Sequence, residues 1–156
     1  MKTYRGPVKL TLRVNGEERV VLVDPAETLL RTVRRGLGLT GTKAGCENGD
    51  CGSCTVQLEG VPVKSCCTLT VDAADRAITT IEGLKDTPIQ EGFRREYGFQ
   101  CGFCTSGFIM NAEAFLRSGR RLSPTAEEDW LQSNICRCTG YEGIRNAMRF
   151  PGRPAL

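Results

Sequence analysis

The chain has 156 residues, a mild net charge of +3, nine cysteines and no histidine. So small a charge argues against a nucleic-acid partner or another strongly anionic polymer. The absence of histidine excludes metal sites with imidazole ligands and nucleophiles that a histidine activates. If the chain forms two small units, each buries little apolar surface and needs cross-links or metals for stability.

No segment has the character of a signal peptide or of a membrane span. Residues 1–10 lack an apolar core and a small-residue cleavage site. The longest aliphatic run, residues 20–23, is far shorter than the roughly 20 residues that a spanning helix needs. We therefore expect a cytoplasmic protein with no membrane span, in which cysteines bind metal rather than form disulfides.

The first half of the sequence has the pattern of a small sheet with one helix. Residues 8–14 alternate apolar and polar side chains, Asn15-Gly16 is a favoured tight turn, and residues 19–23 return as a second strand. Thr28 is a candidate N-cap for a short helix. The other predicted strands are a second hairpin and a last strand, at residues 55–58, 61–71 and 77–81. Two hairpins, a helix and a strand indicate a ferredoxin-like β-grasp unit.

The second half has a helical pattern. Ser123-Pro124 is an N-cap followed by a first-turn proline, with acidic residues next in the sequence. Four helices are predicted, at residues 88–97, 105–117, 124–132 and 141–150. The predicted fold class is α+β, with a ferredoxin-like domain over residues 1–81 and an all-α, four-helix domain over residues 82–156.

Three cysteines of the first half, Cys46, Cys51 and Cys54, have the spacing C-x4-C-x2-C. A plant-type ferredoxin holds three of the four ligands of a [2Fe–2S] cluster with this spacing. Three glycines stand among these cysteines. Glycine is expected in such a loop because the backbone must come close to a compact inorganic core, often with positive φ.

The fourth ligand of this group is Cys66 or Cys67, and the predicted strand over residues 61–71 decides between them. Side chains alternate between the two faces of a strand, so neighbouring cysteines cannot both face one cluster. Cys67 shares its parity with the apolar residues of this strand, and we expect it to pack in the core as a small apolar side chain. Cys66 lies on the polar face and is the predicted ligand.

A second group of four consists of Cys101, Cys104, Cys136 and Cys138. Cys101-x2-Cys104 can open a helix, whose free N–H groups would face an anionic cluster. Cys136 and Cys138 would diverge by roughly 200° on a helix, so we expect them in a non-helical loop. From the residues alone, this group fits a [2Fe–2S] cluster or a structural zinc ion equally well.

Three stretches together resemble one known family. They are residues 45–56 with the first cysteine spacing, Gln-Cys-Gly-Phe-Cys-Thr at 100–105, and Asn-Ile-Cys-Arg-Cys-Thr-Gly-Tyr at 134–141. In these stretches the chain resembles the small iron–sulfur subunit of molybdenum hydroxylases. This is the xanthine oxidase family, which includes aerobic carbon monoxide dehydrogenases, aldehyde oxidoreductases and N-heterocycle dehydrogenases. The resemblance extends over nearly all of residues 8–150.

The resemblance implies that each group of four cysteines binds one [2Fe–2S] cluster. The first ligand set would be Cys46, Cys51, Cys54 and Cys66, and the second would be Cys101, Cys104, Cys136 and Cys138. The chain would have no catalytic residue of its own. It would relay electrons one at a time from molybdopterin in a large subunit to FAD in a medium subunit, within a dimer of heterotrimers. Gln100 matches the family glutamine that contacts the molybdopterin, and the second cluster would lie nearer to that cofactor.

The substrate lies outside this chain, because specificity belongs to the molybdenum subunit. Family resemblance favours a purine or N-heterocycle dehydrogenase, and an aerobic carbon monoxide or aldehyde dehydrogenase is the alternative. A free-standing two-cluster ferredoxin is a further alternative, although such carriers usually have strongly charged surfaces. Arg137 stands between two thiols and either raises the potential of the second cluster or anchors its loop.

The sequence departs from the family pattern at two positions. Ser106 stands where the family commonly has proline, and Ser133 replaces a glycine before Asn134. Neither residue is a predicted ligand, so we expect both clusters to be retained.

Overall fold

Two hairpins with the same kind of turn supply four of the five strands. In both turns the central residues have positive φ, at Asn15-Gly16 and at Glu59-Gly60, as a type I′ turn requires. The computed structural model describes residues 3–119 and 123–150. The first two residues of the predicted domain 1–81, and residues 120–122 and 151–156 of the predicted domain 82–156, therefore lie outside the described residues. The strands are β1 (Val8–Val14), β2 (Glu17–Val23), β3 (Thr55–Leu58), β4 (Val61–Lys64) and β5 (Ala77–Thr79).

The strands form one mixed sheet in the order β2-β1-β5-β3-β4. β5 pairs in parallel with β1 and antiparallel with β3, so it joins the two hairpins. One face of the sheet is covered by helix α1 (Leu29–Arg31), which continues as a π-helical turn over Thr32–Gly36. As predicted, Thr28 caps this helix, because its hydroxyl accepts the Arg31 N–H. The two layers enclose an aliphatic core of Leu12, Val14, Val21, Val23, Leu29, Val33, Val56, Leu58 and Ile78.

The predicted strand over residues 61–71 is wrong beyond Lys64. Ser65–Cys67 forms a 3-10 turn, and a short helix α2 (Thr70–Ala73) follows. The hydroxyl and the N–H of Ser65 both donate to the Cys54 carbonyl, at 2.6 and 3.4 Å, and bend the chain out of the sheet. A serine side chain that bonds to the backbone competes with sheet pairing, and the apolar alternation of the sequence does not reveal this.

The four predicted helices of the second half are confirmed, although two of them are shorter than predicted. They are α3 (Pro88–Arg95), α4 (Thr105–Arg117), α5 (Pro124–Gln132) and α6 (Glu142–Met148). Thr87 begins α3 with a capping box, and Ser123 caps α5. Tyr97 and Tyr141, just outside α3 and α6, have positive φ, which a continuous right-handed helix cannot contain.

Helix α4 packs on β3 and β4, on the sheet face opposite α1. Val56 and Leu58 belong to the first core, whereas the Gln57 side chain points the other way and donates to the Met110 carbonyl of α4 at 2.9 Å. All four residues of β3 are buried, because the sheet is covered on both faces at this point. The predicted fold class, α+β with a β-grasp unit followed by four helices, is confirmed.

Candidate iron–sulfur centres

The loop between α1 and β3 carries the first three cysteines, and its backbone is tightly packed. Cys46 is exposed, Cys51 is partly buried and Cys54 is buried. Gly52, between the last two, has a φ of 70°. A Cβ on Gly52 would overlap the side chain of Asn134 from the second half. As expected, this loop requires glycine: the backbone at position 52 has positive φ, and the contact with Asn134 leaves no room for a Cβ.

The sulfur atoms of the first group lie in two pairs. Cys54 Sγ lies 3.4 Å from Cys66 Sγ. Cys46 Sγ accepts the N–H of Cys51 at 3.3 Å and also interacts with the Cys51 thiol. The fold therefore brings together a buried pair, Cys54 and Cys66, and a more exposed pair, Cys46 and Cys51.

Two thiols of this group, Cys46 and Cys66, have pKa values shifted in opposite directions. Hydrogen bonds from the backbone N–H groups of Cys51 and Asn48 lower the pKa of Cys46 to about 7. Burial raises the pKa of the Cys66 thiol, and hydrogen bonding with Cys54 raises it further. Because a metal binds the thiolate, the lowered pKa of Cys46 favours its metal-binding form.

Cys67 is exposed, so the prediction that it packs in the core is wrong. Its sulfur lies 3.6 Å from Cys66 Sγ. The alternation of side chains does not extend to Cys67 because the strand ends at Lys64. Val61 and Leu69, on the same predicted face, are exposed as well. The choice of Cys66 as a ligand now rests on its buried position beside Cys54.

The second group is also divided into an exposed and a buried pair. Cys101 Sγ and Cys138 Sγ lie 3.6 Å apart, and both residues are exposed. Cys104 and Cys136 are buried. Burial raises the pKa of Cys104 to about 12, and hydrogen bonding with Cys136 adds to the shift. Cys104 immediately precedes α4, so Cys101-x2-Cys104 does open a helix as predicted.

The segment from Cys136 to Cys138 is the non-helical loop that its spacing predicts. Cys136 Sγ accepts hydrogen bonds from the Thr139 hydroxyl (3.1 Å), the Thr139 N–H (3.4 Å) and the Cys138 N–H (3.5 Å). Burial raises the pKa of Cys136, but these hydrogen bonds outweigh it and the pKa is lowered. Donors that stabilise a thiolate also stabilise an added electron on a bound cluster and so raise its reduction potential.

Each group has the arrangement that a cluster with two irons needs. Four thiolates are divided between the two irons of a [2Fe–2S] cluster, and each group consists of two sulfur pairs. A structural zinc ion instead gathers four thiolates around one point. The donor sets fit [2Fe–2S] clusters.

Hydrogen bonds that no sequence pattern predicts connect the loops of the two groups. The Ile135 N–H donates to the Cys51 carbonyl at 3.0 Å, and Asn134 Nδ2 donates to the Gly52 carbonyl at 2.9 Å. The one sequence signal for this contact was that Asn134 and Ile135 directly precede Cys136. A cysteine of the first group thus touches the segment that leads into the second.

Both departures from the family pattern lie at this contact. Ser106 Oγ donates to the Gly41 carbonyl at 2.7 Å and ties α4 to the first loop. Ser133 Oγ bonds with the Trp130 carbonyl and with Asn134 Oδ1, at 2.8 and 2.9 Å. The two serines are therefore accommodated as parts of the contact between the halves.

Gln100 and Arg137 are both exposed. Three aromatic residues near them in the sequence, Tyr97, Phe99 and Phe103, are also exposed, at 81%, 41% and 47% of their surface. Exposed aromatic side chains beside a group of metal-binding cysteines are typical of a surface that a partner protein covers. The roles of Gln100 and Arg137 remain predictions.

Two family models match adjacent parts of the chain. A 2Fe-2S iron-sulfur cluster binding domain matches residues 12–80, and a [2Fe-2S] binding domain matches residues 80–149. The paired thiols and these matches define an electron-transfer protein with two [2Fe–2S] domains.

Individual relatives narrow the class further. The chain is 46% identical to the nicotine 6-hydroxylase small subunit of Paenarthrobacter nicotinovorans, over 90% of this chain and 87% of that one. It is 40% identical to the nicotinate dehydrogenase small FeS subunit of Eubacterium barkeri, over 92% and 94% of the two chains. Among solved structures, a chain of quinoline 2-oxidoreductase from Pseudomonas putida 86 matches with a TM-score of 0.88 and 40% identity, over 94% of this chain and 93% of that chain.

The chain belongs to the family of small iron–sulfur subunits of molybdenum hydroxylases. Its cofactors are two [2Fe–2S] clusters, and it is one subunit of a multi-subunit oxidoreductase. Within the part of the chain that the structure describes, no helix has the length and apolar character needed to cross a membrane.

Proposed function

We propose that this chain relays electrons, one at a time, from molybdopterin in a large subunit to FAD in a medium subunit. The observation that carries the proposal is the hydrogen bond from Ile135 to Cys51. It connects a cysteine of the first group to the residue beside Cys136 of the second. When bound, each cluster supplies one-electron chemistry, and no residue of this chain takes part in substrate oxidation.

Eight of the nine cysteines hold the clusters in this proposal, two on each iron. The first set is Cys46, Cys51, Cys54 and Cys66, and the second is Cys101, Cys104, Cys136 and Cys138. The sulfur pairs described above support this division. Thr139 and the backbone N–H groups around Cys136 stabilise the thiolate form of that ligand.

The exposed end of each group is the side on which electrons enter or leave. We assign the side of Cys101 and Cys138 to the molybdopterin subunit, with Gln100 as the residue that contacts the cofactor. The exposed aromatic residues near Gln100 support a covered surface there. We assign the side of the exposed Cys46, in the first group, to the FAD subunit.

A compound with a ring nitrogen is the proposed substrate of the complex. Relatives of this chain include subunits of nicotine 6-hydroxylase, nicotinate dehydrogenase and caffeine dehydrogenase. Another relative is the iron-sulfur-binding subunit of an aldehyde oxidoreductase, so an aldehyde is the second candidate.

The finer organisation is proposed as a dimer of heterotrimers in the cytoplasm. Within the chain, we place the division between a ferredoxin-like domain and a helical domain at residues 1–81 and 82–156. The two family models, which meet at residue 80, support this division.

The experiment that tests the relay is an analysis of iron and acid-labile sulfide, with EPR after dithionite reduction, on anaerobically prepared protein. We expect about four irons per chain and two distinguishable S = 1/2 signals. About two irons with bound zinc would assign the second group a structural role and would overturn the relay. Recovery of the loaded chain from its native source without a molybdenum subunit would favour a free-standing two-cluster carrier.

A further inference from the structure

Lys64, the last residue of β4, reaches from one cysteine group to the segment before the other. Its backbone lies two residues before Cys66. Its ammonium group donates to the carbonyl oxygen of Ser133, three residues before Cys136. The side chain is partly buried, and among the described residues no carboxylate forms an ion pair with it. Among these residues, the cation therefore has no carboxylate to neutralise it beside the loops that carry the thiols.

Two contacts place the Lys64 ammonium group beside the first cysteine loop. The Ser133 carbonyl oxygen that accepts its hydrogen bond lies against Gly52, where an added Cβ would stand 2.7 Å from that oxygen. Gly52 lies between Cys51 and Cys54, so the positive charge acts at close range on the loop that carries the first three ligands. Since the side chain is partly buried, solvent and salt screen this interaction less than they screen a surface pair.

We propose that Lys64 raises the reduction potential of the first cluster and so biases electrons towards it. The proposal rests on the relay function proposed above. In the step concerned, one electron leaves the second cluster, which is oxidised, and enters the first, whose charge becomes one unit more negative. A nearby cation stabilises the more negative form. Lys64 acts on the potential through this charge and is not a ligand.

The structure suggests a matched pair of variants. Lys64→Gln removes the charge but keeps an N–H donor for the Ser133 carbonyl. Lys64→Arg keeps the charge, and a cleft of about 200 Å³ beside Lys64, lined by Thr55, Asn111 and Ser133 among others, leaves room for the larger guanidinium. Lys9→Gln, at an exposed position on β1, removes the same charge elsewhere on the chain.

The measurement is an EPR-monitored redox titration of both clusters in the full complex. For Lys64→Gln we expect the ratio of reduced to oxidised first cluster, at a fixed potential, to fall tenfold, which for one electron corresponds to a shift of about 59 mV. Lys64→Arg and Lys9→Gln should leave the first cluster near its wild-type potential. The second cluster should shift less than the first in Lys64→Gln and stay near its wild-type potential in the other two variants.

Two outcomes would overturn the proposal. In one, the first cluster keeps its potential in Lys64→Gln. In the other, Lys64→Gln and Lys64→Arg shift the reduction potential of the first cluster equally, which would mean that packing rather than charge is responsible. If Lys64→Gln fails to load iron, Lys64→Met takes its place with the same expected shift. Failure of the relay itself would appear earlier, in the iron content of the wild-type chain.

Discussion

The side-chain amide of Asn134 donates a hydrogen bond to the carbonyl oxygen of Gly52 at 2.9 Å and connects the two cysteine-bearing loops. Asn134 is buried, and its own Oδ1 accepts Asn111 Nδ2 at 3.1 Å. Buried polar groups of this kind are nearly always paired, because an unpaired one is strongly unfavourable. The contact therefore holds the two groups in one fixed relation.

Replacing Asn134 with Ala should destabilise the loaded protein. The change removes two buried hydrogen bonds, each worth about 0.5–1.5 kcal/mol, although the Gly52 carbonyl keeps Thr55 as a donor and Asn111 keeps the Trp130 carbonyl as an acceptor. We expect Tm, at one scan rate, to fall by several degrees. Gln132→Ala, at an exposed position of α5, is the control and should change Tm little. Equal effects of the two substitutions would contradict a structural role for Asn134.

A Cβ at position 52 should be far more harmful than one at position 60. Both glycines have positive φ, at 70° and 79°, so each substitution by Ala carries a left-handed strain of about 1–2 kcal/mol. At Gly60 nothing lies within 4 Å of the added atom, whereas at Gly52 it would lie 2.6 Å from Asn134 Cγ. Gly52→Ala should therefore lower the iron content of the purified chain, and Gly60→Ala should leave it intact. Similar iron contents in both variants would show that the loops can separate without loss of the clusters.

Removing the Thr139 hydroxyl should lower the potential of the second cluster. Thr139→Val deletes the donor that lies 3.1 Å from Cys136 Sγ. A net hydrogen bond of about 1 kcal/mol corresponds to a few tens of mV for one electron. Redox titration should show this shift for the second cluster, and Thr139→Ser, which keeps the hydroxyl, should show much less. A shift of the same size in the first cluster would point to a general rearrangement instead.

The two neighbouring cysteines at 66 and 67 should behave differently. Cys66 is buried 3.4 Å from Cys54, whereas Cys67 is exposed. Cys66→Ala should lose the first EPR signal and reduce iron from about four to about two per chain, because a [2Fe–2S] cluster needs four ligands. Cys67→Ala should keep both signals and all iron. Retention of the first signal in Cys66→Ala would show that Cys67 replaces it as a ligand.

Elements with local signals were predicted well. Alternation over residues 8–14, the Asn15-Gly16 turn and the N-caps at Thr28 and Ser123 all appear in the structure as expected. In each case the determining interactions lie within a few residues of one another. Cysteine spacing belongs to the same class, because a short loop can close around a cluster only at certain spacings.

The strand predicted beyond Lys64 shows where local signals fail. Apolar alternation continued past that residue, but the bond from Ser65 to the Cys54 carbonyl turns the chain. That partner lies eleven residues away, so no pattern within the segment reveals it. The same error put Cys67 in the core, although the structure exposes it.

By itself, the sequence determined that two groups of four thiols are carried on a β-grasp unit and a helical unit, because period, caps and ligand spacing are local properties of a chain. Only the tertiary structure decided how the groups meet. The bonds from Ile135 to Cys51, from Asn134 to Gly52 and from Lys64 to Ser133 join residues that are 69 or more positions apart. Such contacts form when two packed surfaces bury polar groups that must then be paired, and a linear pattern does not encode that pairing.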